Sequence, residues 1–184
     1  SMGAAALDHL DPFLLLDHFG SHNPDDYVRG FPMHPHRGIE TVTYMQAGLV
    51  RHKDSLGNSG EITAGDVQWM TAGRAILHEE MPEGLGGHME GFQLWVNLPS
   101  HLKMMEPRYQ EIKAGKIPWL NPTPGVTIRL IAGKYGEVSG PVTDIAADPL
   151  YMDVTVYGGD RFDLDIPAGH NAFIYVFNGG GDFC

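Results

Sequence analysis

The stretch Gly30–Tyr44, GFPMHPHRGIETVTY, decides how the rest of the chain is read. It sets two histidines either side of a proline and then runs into Ile39, Thr41, Val42 and Thr43, the β-branched residues of a strand. Residues two apart in extended chain share a face, which puts the imidazoles of His34 and His36 roughly 6 to 7 Å apart along one side. Pro35 favours that extended conformation for His34. The pair can therefore present two ring nitrogens to one point. Solvated histidine pairs share this spacing, so the pair alone does not specify a metal.

A second pair follows in GRAILHEEMP, where His78 and Glu80 share a face in extended chain and Glu79 points the other way. Three neutral nitrogens and one carboxylate form a mixed donor set suited to a divalent first-row metal rather than to magnesium or calcium. The set contains no thiolate, which argues against a structural zinc knot. Four protein ligands on an octahedral ion leave two positions, as joint binding of a substrate oxygen and dioxygen requires. Glu40 has the same parity as His34 and His36 on what reads as one strand, so either Glu40 or Glu80 can complete the set.

Outward from these pairs the chain reads as short strands and tight turns. LDPFLLLDHFGSHNPDDYVRGFP is an opening strand and a loop, and LVRHKDSLGNSGEITAGDVQWMTAG is three strands joined by Gly-Asn-Ser-Gly and Ala-Gly-Asp turns. GFQLWVN alternates, with Phe92, Leu94 and Val96 on one face and Gln93, Trp95 and Asn97 on the other. From Pro99 the alternation lapses into a bridge with some helical potential over residues 102–106. Strand-and-turn character resumes near Val126, giving an N-terminal metal-binding unit over 1–125 and a partial second unit over 126–184. The second unit has too few strands for an independent sandwich, and its open edge offers a route to a homodimer.

Composition agrees with an all-β sandwich or barrel: 184 residues, 42% hydrophobic, with 24 glycines and 13 prolines scattered without period. A formal charge of −11 argues against direct nucleic-acid binding. No apolar run reaches the roughly 20 residues of a membrane helix. The single cysteine, Cys184, permits no intrachain disulfide, and with no recognisable signal peptide the chain reads as cytoplasmic.

HPHRGIETVTY, GDVQWMTAGRAILHEEMP and GFQLWVNLP, with LDPFLLLDHFG and GPVTDIAADPLYMDVTV, resemble the pirins of the cupin superfamily over nearly the whole chain. Gly65, Gly73 and His78 match the looser second cupin motif. The resemblance implies a bicupin of double-stranded β-helix, or jelly-roll, sandwiches with one metal, typically iron, in the N-terminal unit. It places the ligands on His34, His36, His78 and Glu80, and favours Glu80 over Glu40. Pirins continue beyond this point, so the second barrel is expected to be incomplete, and the solitary His170 is expected to be structural.

The implied chemistry is a quercetinase-type dioxygenase: Fe(II), or another divalent first-row metal, opening a flavonol with O2, with Glu80 as ligand and general base. Met33, Trp69, Met70, Phe92 and Trp95 are candidates to flank the aromatic substrate. The alternative is a redox-dependent regulator that binds a transcription factor or a metabolic enzyme through its iron-bound state. Its discriminating feature would be a basic patch built from Arg29, Arg37, Arg51, Lys53 and Arg74.

Overall fold

A computed structural model describes residues 10–83 and 87–183. Its strands are, in chain order, β1 (Phe13–Ser21), β2 (Phe31–His36), β3 (Ile39–Ala47), β4 (Leu49–Asp54), β5 (Ser59–Thr63), β6 (Val67–Thr71) and β7 (Ile76–Glu83). They continue as β8 (Met89–Asn97), β9 (Arg108–Ile112), β10 (Trp119–Thr123), β11 (Val126–Ala132), β12 (Lys134–Tyr135), β13 (Val138–Ser139) and β14 (Tyr151–Val156). The described residues contain short 3-10 turns but no α-helix, and no helix long and apolar enough to cross a membrane. The helical potential over 102–106 resolves into one 3-10 turn, Ser100–Leu102, hemmed in by Pro99 and Pro107.

Two antiparallel sheets form the sandwich, one ordered β1-β8-β3-β6-β9 and the other β2-β7-β4-β5. β2 and β3 are nearly continuous in sequence yet belong to different sheets. Gly38, at φ +68°, makes the transfer in a left-handed conformation that a side chain would resist. Its N–H donates to the carbonyl of Gly73, which is also left-handed and so close to the Met105 carbonyl that an added Cβ would collide with it. These two glycines tie the turn between the sheets to the ends of β3 and β6.

The five-stranded sheet is covered on both faces, which explains why β3 is buried nearly throughout instead of alternating. On its outer face, register aligns Leu16, Leu94, Val42 and Trp69 in one row across four strands. They pack with Ile117, Ile131, Ala132 and Val142 from downstream. On its inner face the adjacent row is polar: Asp17, Gln93, Thr43, Gln68 and Glu111. That row faces the four-stranded sheet.

Beyond the sandwich, β10, β11 and β14 form a three-stranded sheet, and the β10–β11 hairpin lies across the 125/126 boundary expected from sequence. The segment read as a bridge contributes β9, the edge strand of the five-stranded sheet, through pairing with β6. Residues 157–183 hold no regular strand. Phe173 and Tyr175 pack on the outer-face core, and His170 lies exposed in a turn with its N–H on the Pro167 carbonyl.

Candidate metal centre

Three imidazoles converge between the sheets. β2 and β7 pair so that His34 lies opposite His78, and the strand period puts His36 on the same inner face. One ligand-capable atom from each of His34, His36 and His78 lies within 4.8 Å of the other two. Ring centroids are 4.8 Å apart for His34–His36, 4.5 Å for His34–His78 and 5.0 Å for His36–His78.

The donor chemistry of this cluster fits a cation. His34 Nδ1 is 2.9 Å from the Pro32 carbonyl, which can only accept, so Nδ1 carries the proton and Nε2 of the neutral ring is a lone pair. That Nε2 lies 3.0 Å from His36 Nε2, so something positive, a proton or a cation, must sit between the two. Nitrogens each about 2.1 Å from one ion and at right angles to it stand about 3.0 Å apart, so this spacing suits neighbouring positions on an octahedral ion. His78 is 1% exposed, and neither of its ring nitrogens has a hydrogen-bond partner. A buried polar group left so costs about 1–3 kcal/mol, which a ligand on the ring would remove.

Burial, reinforced by the His34 ring, lowers the His36 pKa to about 4. Burial and then His34 and His36 lower that of His78 to about 3. Both rings are therefore neutral across the ordinary pH range, as metal ligands must be.

Glu80 projects from β7 on the same face, two residues beyond His78. It is 4% exposed, and burial raises its pKa against the pull of donors from the opposite sheet. The Gln93 amide donates to Oε2 at 3.0 Å, and the Thr43 hydroxyl donates to Oε1 at 3.2 Å. Its carboxylate stands beside the imidazole cluster, outside the group of atoms that lie within 4.8 Å of one another.

Glu40 is on the other side of the five-stranded sheet. The parity argument that allied it with His34 and His36 assumed one continuous strand, and Gly38 divides that stretch between two sheets. Glu40 is 1% exposed, its Oε1 accepts from the Thr71 hydroxyl at 2.7 Å, and burial raises its pKa.

A cavity of about 300 Å³ adjoins Glu80, walled by Leu15, Phe19, Phe31, Val50, Pro82 and Met89, with Asp17, Thr43, Gln93 and Trp95 also lining it. Of the five aromatic and methionine candidates, Trp95 lines this cavity, and its ring meets His36 edge-on at 5.1 Å. Trp69 and Phe92 belong to the outer-face core. Met70 is on the inner face but packs with Ala72 and Ile76, while Met33 is exposed.

Of the basic residues, Arg51 pairs with Glu61 and Glu83, Lys53 with Glu79, and Arg74 with Glu106. Sequence reasoning passed over Gln93 and Thr43 as site residues. It also passed over His52, which is buried, lies opposite Glu80 across β4 and β7, and is hydrogen-bonded to Glu111. Inner-face parity with Trp95 was the signal available for Gln93.

Two antiparallel sheets that enclose an imidazole cluster are the architecture of a cupin. The match to the Pirin family model covers residues 1–96, and the chain belongs to the pirin family. A pirin-like protein of Caulobacter vibrioides is 46% identical over 179 residues, which is 97% of this chain and 65% of that protein. Human pirin is 44% identical over 180 residues, 97% of this chain and 60% of that protein. The chain thus spans less than two thirds of the length of either relative. A crystal structure of quercetin 2,3-dioxygenase from Acinetobacter baumannii superposes with a TM-score of 0.70 at 45% identity, covering 77% of this chain and 52% of that one.

Proposed function

We propose that this chain is an iron-binding pirin that acts as a dioxygenase on a flavonol such as quercetin, or on a similar aromatic enol, with His34, His36, His78 and Glu80 as metal ligands. The observation that carries the reading is the buried His78 ring, unpartnered at both nitrogens and among two further imidazoles, with Glu80, two residues along the same strand, lining an apolar-walled cavity. The name of the A. baumannii relative supports the substrate class. The Fe(II) ion, when bound, supplies Lewis acidity and redox access to dioxygen.

The chain's own residues supply the rest. Phe31, Phe19 and Trp95 give a planar aromatic molecule apolar contact and keep water from it. Glu80, at the inner wall, is the base that takes the proton of the substrate's enolic hydroxyl. Burial supports that role by raising its proton affinity above that of an ordinary carboxylate. Thr43 and Gln93 hold its two oxygens meanwhile. Of the five basic candidates for the regulatory alternative, Arg51, Lys53 and Arg74 are paired with carboxylates, and Arg37 donates to Met104 Sδ.

The test is an anaerobic mixture of iron-loaded protein and quercetin, opened to oxygen, with total metal measured on the same sample. Flavonol loss should track iron content and vanish in His78→Ala together with tight metal binding. Full metal occupancy in His78→Ala would sink the ligand set. Stoichiometric iron without turnover would move the function to the redox-switch alternative.

A further inference from the structure

Glu80 reaches toward the imidazoles from one sheet, but what fixes its carboxylate comes from the other. Gln93 is the decisive partner because a glutamine amide has two orientations of nearly equal shape and opposite chemistry. In one it offers N–H to a carboxylate, and in the other it sets a carbonyl oxygen against it. Trp95 removes the ambiguity. Its indole N–H can only donate, and it lies 3.2 Å from Gln93 Oε1. A flipped amide would place NH2 against that N–H and C=O against Glu80, losing both hydrogen bonds at once. The Trp95 ring is itself held edge-on against His36, at 5.1 Å and 84°. One side chain thus touches a cluster histidine and dictates the donor offered to the carboxylate.

We propose that Gln93, with its amide oriented by Trp95, is a positioning residue that sets Glu80 for metal binding. This deepens the proposed function and rests on Glu80 being a ligand. Groups that orient metal ligands typically contribute about 10- to 100-fold to affinity, and the pair from β8 is placed to do so. Thr43 supplies the donor to the second oxygen but has no comparable ambiguity to resolve, because its hydroxyl rotates freely.

The experiment uses Co(II) as the probe, titrated into the full chain stripped of metal, with affinity and the visible absorption bands recorded. Gln93→Leu should weaken Co(II) binding by about 10- to 100-fold and alter the bands. Trp95→Phe keeps an aromatic side chain but removes the indole N–H together with the pyrrole part of the ring. It should weaken binding by about 10-fold at most and alter the bands in the same sense. Because Trp95 is only partly buried, Trp95→Phe is the milder change and remains informative if Gln93→Leu fails to fold. Wild-type affinity and bands in folded Trp95→Phe and Gln93→Leu would overturn the proposal. His78→Ala, run alongside, separates the two claims. If it loses Co(II) while the β8 variants do not, the positioning role fails and the metal centre stands. If it binds Co(II) as the wild type does, the ligand set fails and the positioning role with it.

Discussion

The two faces of the five-stranded sheet are built from the same strands and are both buried, yet they are chemically opposite. Outward, Leu16, Leu94, Val42 and Trp69 form an apolar row, locked by Ile117, Ile131 and Val142. Inward, in the adjacent row, Asp17, Gln93, Thr43 and Gln68 are polar, and Thr43 and Gln93 hydrogen-bond to Glu80. Burying polar groups costs free energy unless they are paired, so the inner face is tolerable because sheet and site satisfy each other. The difference shows a division of labour: the outer face stabilises the fold, and the inner face spends some of that stability on holding chemistry in place.

The strongest way to break this comparison is to hollow the outer face. Trp69, 1% exposed, is the largest side chain of the apolar row, and Trp69→Ala should destabilise the chain by about 3–5 kcal/mol. Urea unfolding measures this. The division of labour further requires that the folded fraction of Trp69→Ala keep the metal affinity of the wild type, since the indole lies across the sheet from the imidazoles. A large loss of affinity in folded protein would show that the two faces are not separable.

The second test opposes two buried glutamates on opposite faces. Glu80→Gln should weaken metal binding by at least the 10- to 100-fold typical of groups that only orient ligands. Glu40→Gln should leave the affinity unchanged, because Glu40 answers to Thr71 on the outer side. Loss of metal from Glu40→Gln alone would exchange the two assignments.

Much of this was legible in the sequence. The alternation in GFQLWVN assigned Phe92, Leu94 and Val96 to one face and Gln93 and Trp95 to the other, as the fold has them. His34, His36 and His78 are brought together by a register that their two-residue spacing permits. The failures share a physical cause. Glu40 was misallied because nothing local marks which sheet a strand will join after Gly38. Thr43 and Gln93 reach Glu80 across the sandwich from positions 37 and 13 residues away, a contact that only the packing of the sheets creates. The strand-and-turn character expected from Val126 onward does not reach Phe173, Tyr175 and Phe177. Their rings pack on Phe13, His18 and Phe92, but the segment has no ladder among the described residues.

The smallest effect sharpens the comparison where neither face dominates, at the end of the sandwich. Asp66, in the turn between β5 and β6, is buried. It accepts from the Thr63 N–H at 3.1 Å, the Ala114 N–H at 2.8 Å and Lys113 Nζ at 2.9 Å. Burial pushes its pKa up, but Lys113 and these backbone donors outweigh that and hold it below the ordinary carboxylate range. A carboxyl whose folded pKa is depressed binds fewer protons in the folded state than in the unfolded one. Its stabilisation is therefore complete above the unfolded value of about 3.9, and is lost as pH falls through the lower folded value. Asp66→Asn keeps an acceptor but not the charge, and should cost about 1 kcal/mol at neutral pH. That cost should shrink toward zero as both proteins are taken down through the acid range. Urea unfolding at pH 7 and at successive steps below pH 4 reads the difference. A gap that stays constant with pH would mean that Asp66 acts by shape rather than by charge. The tie between the β5–β6 turn and the segment after β9 would then be held as the outer face is, by packing.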